Sequence, residues 1–427
     1  MSGATRRDRS SDRPQWRQFL FGALIALLTV AANTALAALG VYHAGEFSEF
    51  DRLMLTLGTP DSPSTDLTLV TIDNQDYRTL FGSTSPLDKD TVASIVNAIT
   101  EFAPAVLGVD LVTADWQPPI PGIEPRKTRV VWAATRNAQG GLGLDWLATG
   151  SLDGHARCVA VPVFYPDDDG TIRKQVSSIE ELGHIVPSFP AALRDSFDSF
   201  GSNEPGCPIA AGHGEPGHGT YIRFTGRHHQ FVRVAASDVL AAARPGGHRS
   251  SSLVTALQNG VVILGGTYDA ARDRYRTPVG DKDGVEILAH AFESTPRPLV
   301  ESSLAGVAVV EFLVGCIALG LLLVLPLGSV AKALLAFAAP FVLAVPVSFI
   351  AFNYFGSYVS VIGSFAGIPF HHFLEMFLES RRESRETEES LRKTVEALED
   401  RHLADQLILT SAIHALRRSD ADDSEVR

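Results

Sequence analysis

Positive charge is the first thing in short supply. The 427 residues hold 36 lysines and arginines against 49 aspartates and glutamates, a net charge of −13. So acidic a chain excludes nucleic acid as a partner. Cysteine is scarcer, with three in all. Cys316 falls inside an apolar stretch, where a thiol behaves as a small hydrophobe. Cys158 and Cys207 remain as a candidate disulfide, with two unpaired thiols as the alternative, because sequence does not supply the Cα separation that decides it. Signatures of chemistry are missing too. There is no Gly-x-Ser-x-Gly elbow and no His-Glu-x-x-His pair, so nothing supports catalysis. The glycines Gly265 and Gly266 are followed by no Lys-Ser or Lys-Thr pair, and "GGLG" at 140–143 also fails the phosphate-loop and dinucleotide spacings. His213, His218, His228 and His229 gather in or near a glycine-rich loop, but their spacing matches no zinc pattern. The expectation is a non-enzyme with no cofactor and no metal centre.

Long apolar runs, by contrast, are plentiful. Four stretches are apolar enough to cross a bilayer, which takes about 20 residues each. They are residues 19–42, 300–327 (apolar from Leu304), 333–352 and 354–378. The last is the weakest, since His371, His372 and Glu375 lie near its end. The first reads as an uncleaved anchor, lacking a clear cleavage site. Basic residues set the orientation. Arg6, Arg7, Arg9, Arg13 and Arg17 lie in residues 1–18; Arg381, Arg382, Arg385, Arg392 and Lys393 lie in residues 379–427; Lys332 occupies the short turn between the second and third stretches. This predicts a multi-pass protein of the inner membrane, in contact with lipid, with both termini cytoplasmic and residues 43–299 outside. Glu311 is the costly residue within these runs. It is expected to face neighbouring helices or be protonated; the alternative is that it lies near the outer boundary and meets headgroups or a partner on the first stretch such as Asn33. Pro326, Pro340, Pro346 and Pro369 are expected to kink their helices.

The outer segment alternates short apolar strands with amphipathic helices. "LTLVTID" ends at Asp73, and Val92, Ile95, Val96 and Ile99 form a helical stripe. "AVLGVDLV" contains Asp110 in a run typical of a strand covered on both faces. "RVVWAAT" continues the pattern, residues 156–178 read as a hairpin turning at Asp168–Gly170, and "SDVLAAA" reads as a helix capped by Ser237 or Asp238. "VVILGGT" supplies a late strand. The fold class predicted is an α/β outer domain with a mainly parallel sheet, four transmembrane helices and a cytoplasmic helical tail. Residues 117–127 and 201–219 read as loops.

Ligands of open α/β sheets sit beyond the carboxyl ends of the strands. Asp73 and Asp110 are candidates there, and Asp269 and Asp273 lie in the loop after the late strand. The competing reading is that such aspartates bond loop amides or cap the next turn. The helix from Gly284 puts Val285, Leu288, Ala289 and Phe292 on one face and Glu286, His290 and Glu293 on the other. Glu286 and His290 are candidate binding residues, although Asp283 and Glu286 also have the spacing of a capping box.

Three blocks together resemble the CHASE2 family, sensory extracellular domains associated with cyclases and histidine kinases. They are "FDRLMLTLG…LTLVTIDNQDYRTLFG…LDKDTVASIVNAITEFAPAVLGVDLV", "YIRFTGRHHQFVRVAASDVL" and "GVVILGGTYDAARDRYRTPVGDKDGVEILAHAF". The first carries Asp51, Arg52, Asp73 and Asp110; the last carries Asp273, Thr277, Glu286 and His290. The family's usual arrangement of one span before the domain and three after it strengthens the likeness. Before the first helix the chain has "STSPLDKD" where the family has Trp-Pro and an arginine, which puts any role for Lys89 in doubt. The resemblance implies a sensor that binds an extracytoplasmic ligand or protein, with Thr277 joining the candidate site. A constitutive envelope scaffold is the alternative.

Members typically continue into a kinase or cyclase. Here residues 379–427 are charged and helix-favouring, with Leu391, Val395 and Leu398 at a coiled-coil step that His402 and Asp405 interrupt. The plain reading is a helix that projects from the membrane and is partly disordered at its end; the functional reading is a dimerisation stalk, giving a homodimer, or a docking helix for a separately encoded output protein.

Overall fold

The computed structural model describes residues 15–57, 66–113, 116, 128–134, 158–181, 184–200, 219–224, 231–296, 298–325, 328–363, 365, 373 and most of 376–398. The proline-rich 117–127, "GGLG", His213, His218, His228, His229, Cys207 and the sequence beyond 398 lie outside the described residues. The chain divides into two compact bodies, one made of residues 35–309 with 344–362, the other of 1–34, 310–343 and 363–427.

The larger body opens on α2 (His43–Leu57), which follows α1 (Gln15–Ala38). Its centre is a six-stranded sheet of β1 (Leu67–Ile72), β2 (Val106–Asp110), β3 (Arg129–Ala133), β4 (Cys158–Ala160), β10 (Val232–Ala235) and β11 (Val261–Gly266). All neighbours in it are parallel, in the order β10-β1-β11-β2-β3-β4. Uninterrupted apolar strands are what two covered faces require, and every residue of β1 is buried. One face packs on α3 (Asn74–Phe81), α4 (Lys89–Thr100) and the helices Ala236–Ala243 and Ser251–Leu257. The stripe of Val92, Ile95, Val96 and Ile99 is fully buried there, as its periodicity predicts. Helix Ala236–Ala243 corrects one expectation. β10 runs straight into it, so Ser237 and Asp238 already lie inside the first turn, and Ala235 takes the cap position without a side-chain bond. The other face is covered by helices Phe189–Asp198 and Gly284–Ser294. Gly265 lets the second of these approach, since a Cβ there would come within 2.8 Å of Val285 Cβ.

The last of these six strands in sequence, β11, is inserted between β1 and β2. The loop that follows it therefore emerges between the carboxyl ends of both, at the crevice where ligands of such sheets bind.

At the foot of this body β5 (Phe164–Tyr165), β6 (Lys174–Gln175) and β9 (Thr220–Tyr221) form a small antiparallel sheet, whose hairpin carries the predicted acidic turn. β14 (Val300–Glu301) pairs in parallel with β15 (Ser357–Tyr358). Residues 357–358 were expected to begin a spanning helix. They are instead a strand, because Tyr358 is buried against Phe50 and Tyr221 and Ser302 Oγ bonds Ser357 Oγ at 2.7 Å.

Helix Leu304–Val324 and helix Ser329–Ala339 follow, the latter passing into a π turn at Pro340–Ala344, where proline lacks the amide a regular α-turn uses. Among the described residues no single helix is both long and apolar enough to cross a membrane, although the bent pair Ala26–Ala38 and His43–Thr56 is so when taken together. Large apolar side chains are nonetheless exposed along these helices, among them Leu24, Leu28, Val309, Leu313, Ile317 and Phe341. In the smaller body Glu311 and Asn33 are buried, Asn33 Nδ2 donates to the Gly363 carbonyl at 3.0 Å, and the Glu311 carboxylate lies beside Gly363.

Candidate functional site

Two of the four candidate aspartates are occupied by local work. Asp73 caps α3, accepting from the amides of Gln75 and Asp76 at 2.8 Å each. Asp269 is clasped by Asn74, which donates to its carboxylate at 3.0 Å and accepts from its amide at 2.9 Å. Their effect is to pin the loop after β11 onto the start of α3. Tyr77 and Tyr268 stack at 4.2 Å beside this clasp.

The other two come together. Asp110 ends β2, directly across from Gly265 of β11. Asp273 lies at the far end of the same loop, just before the hairpin of β12 (Arg274–Thr277) and β13 (Gly280–Asp283). Burial, then the charge of Asp273, push Asp110 up to about 8. Burial also raises Asp273, against a hydrogen bond with Tyr275 and with a further rise from Asp283. Tyr275 is pushed to about 12 by burial and by Asp273. Both aspartates remain partly accessible. The Asp273 carboxylate is seated against Gly284, where any side chain would occupy its place. The two carboxyl groups are close enough for the charge of Asp273 to act on Asp110, and burial holds both toward their protonated forms. A group bearing positive charge would ionise both. Among the described residues no group of three or more His, Cys, Asp or Glu is arranged to hold a metal ion.

The remaining candidates are structural in their contacts. Thr277 is buried, its hydroxyl donating to the Gly280 carbonyl across the turn. Glu286 accepts from the Asp283 amide at 3.3 Å in the expected capping box, and pairs with Arg233 and, at 3.6 Å, with Lys282. His290 is fully buried, its ring 5.3 Å from that of Phe224 and 4.8 Å from that of Phe231. The helix Gly284–Ser294 is thus apolar on both sides: the face expected to be polar packs on a second cluster of Ile172, Ile222, Phe224, Val279, Ile287 and Ala291. Period alone could not reveal this, because a histidine and a capping glutamate mask the second face. Lys89 is the first residue of α4, which Asp88 caps. Cys158 is disulfide-bonded and Cys316 is free.

Sequence reasoning missed one heavily bonded residue. Arg173 is 1% exposed and its guanidinium binds Asp51 through two bonds of 2.8 and 2.9 Å, Asp167 at 3.0 Å and Asp169 at 2.7 Å, with the Phe47 ring 4.5 Å away. Asp169 is held well below the usual carboxylate range by these bonds. The network ties α2 to the acidic hairpin turn. Its signal lay in the sequence as "DDDGTIR", but the partner on α2 is more than a hundred positions away.

The family model described as CHASE2 domain matches residues 24–325, more than half of the chain, and the chain belongs to that family of extracellular sensory domains. No curated protein and no solved structure matches it.

Proposed function

We propose, with membership of the CHASE2 family as premise, that this chain is a membrane-bound extracytoplasmic sensor of bacterial signal transduction. In this reading residues 19–42, 304–327, 333–352 and the part of 354–378 that follows Val361 lie in the inner membrane, residues 43–301 with the returning strand β15 face outward, and both termini are cytoplasmic. A bilayer accounts for apolar side chains that water would penalise along the helices. It also accounts for a buried Glu311 that lies beside Gly363 near Asn33, as an intramembrane carboxylate requires.

The ligand site is the crevice at Asp110 and Asp273. Asp73, Asp269, Thr277, Glu286 and His290 act by holding its loops and the helix beneath. The ligand class is a small molecule with an ammonium or similar cationic donor, and the output is a separately encoded protein reached through the tail of a homodimer. One observation carries the placement: the charge of Asp273 acts on a partly buried Asp110 at the point where β11 is inserted between β1 and β2. Differential affinity for two states then turns binding into signal.

The test is a thermal-shift screen of the purified full chain against cationic metabolites, in wild type and in Asp273→Asn and Asp110→Asn. A stabilising compound whose shift disappears in Asp273→Asn is expected. An undiminished shift in both variants contradicts this placement.

A further inference from the structure

α2 is held from two sides. Asp51 is fixed by Arg173, while Glu49, two residues earlier, reaches the segment that follows β15. The Val361 amide donates to both Glu49 carboxylate oxygens, at 3.3 and 3.2 Å, and Ser360 Oγ donates at 3.3 Å. The Tyr358 hydroxyl, bonded mainly to the Glu46 carbonyl at 2.9 Å, also faces this carboxylate at 3.5 Å. Each contact requires Glu49 to accept. Because β15 pairs with β14, which precedes helix Leu304–Val324, Glu49 joins the helix that enters the larger body to the segment that returns to it.

The titratable groups that act on Glu49 are Glu46 on α2 and Tyr358 on β15; around Glu46 in turn lie His43 on α2, Lys174 on β6 and Glu301 on β14, and Tyr221 on β9 lies beside Tyr358. The cation among them nearest the acidic groups, Lys174, is engaged with Glu301 at 2.7 Å. Glu49 therefore has hydrogen-bond donors but no cation bonded to it among the described residues. Burial raises it to about 7, with Glu46 adding to the rise and the Val361 and Ser360 bonds opposing it.

We propose that Glu49 is a proton-binding site at the base of the outer body. Ionised, it clasps residues 358–361 to α2; on taking a proton from solvent it loses the charge that strengthens the Val361 bond, and the clasp loosens. The input is external acidity, and the clasp stands independently of the crevice at Asp110 and Asp273.

Hydrogen exchange at the Val361 amide, in the full chain in lipid nanodiscs between pH 6 and 8 and corrected for intrinsic exchange, reads the clasp directly. Protection should fall roughly tenfold toward pH 6, with a midpoint near 7. Glu49→Gln should show low protection at every pH. Glu46→Gln should move the midpoint to lower pH, because it removes a like charge, and it carries the test if Glu49→Gln fails to fold. Flat protection in wild type, a wild-type profile in Glu49→Gln, or an unmoved midpoint in Glu46→Gln would each overturn the proposal. Asp110→Asn should leave the profile in place, so failure of the ligand site and failure of the clasp show separately.

Discussion

Asp110 and Arg173 are both charged residues drawn into the fold, and they answer to opposite physics. Asp110 is partly buried and faces the charge of another carboxylate, so its proton is retained to about 8. A free aspartate titrates near 3.9. The folded state thus holds a proton that the unfolded chain has released, and the stabilisation it brings is complete below about pH 4 and is lost as pH rises to about 8. Asp110→Asn should flatten this part of the profile, and melting temperatures of the two proteins from pH 5 to 8 check it: wild type should lose ground steadily to the variant. Arg173 has three carboxylates, so its charge is answered. Arg173→Ala should cost about 3 kcal/mol by leaving them without a cation. Arg173→Lys should recover only part of that, since an ammonium cannot copy the two-bond fork on Asp51. Denaturant unfolding measures both. At this scale sequence showed which aspartates were near strand ends, but not which were idle. Asp73 and Asp269 satisfy neighbours one loop away, and only the folded chain brings the charge of Asp273 to bear on Asp110.

Elements were more legible than residues. The strands of the parallel sheet announce themselves as continuous apolar runs, and the α4 stripe faces the core as its spacing requires. Illegible were contacts that depend on insertion order. Nothing local says that β11 enters between β1 and β2, yet this places the loop with Asp273 beside Asp110. The helix Gly284–Ser294 was half read: its capping box is present, but its second buried face depends on Phe224 and Ile172 from segments distant in sequence. Two substitutions test the packing of this layer. Gly265→Ala should destabilise by about 1–3 kcal/mol through overpacking against Val285, read as a lower denaturant midpoint. Asp73→Ala should cost about 1 kcal/mol by removing the α3 cap. It should also loosen the loop that Asn74 clasps, raising amide exchange at Asp269.

For the whole molecule, family membership and the α/β body rest on the match and the sheet, whereas the membrane topology is the proposal on which the sensor reading depends. Apolar composition marked four stretches. The fold revises the last of them, since residues 357–358 pair with β14 before any helix resumes. The most direct measurement is labelling of single cysteines by a membrane-impermeant maleimide in intact cells, in a Cys316→Ala background. Tyr165→Cys, on the exposed hairpin of the outer body, should label fully, while cysteines introduced at Ser2 and Ser424 should label only after lysis. Labelling of the terminal positions in intact cells, with Tyr165→Cys protected, would contradict the account.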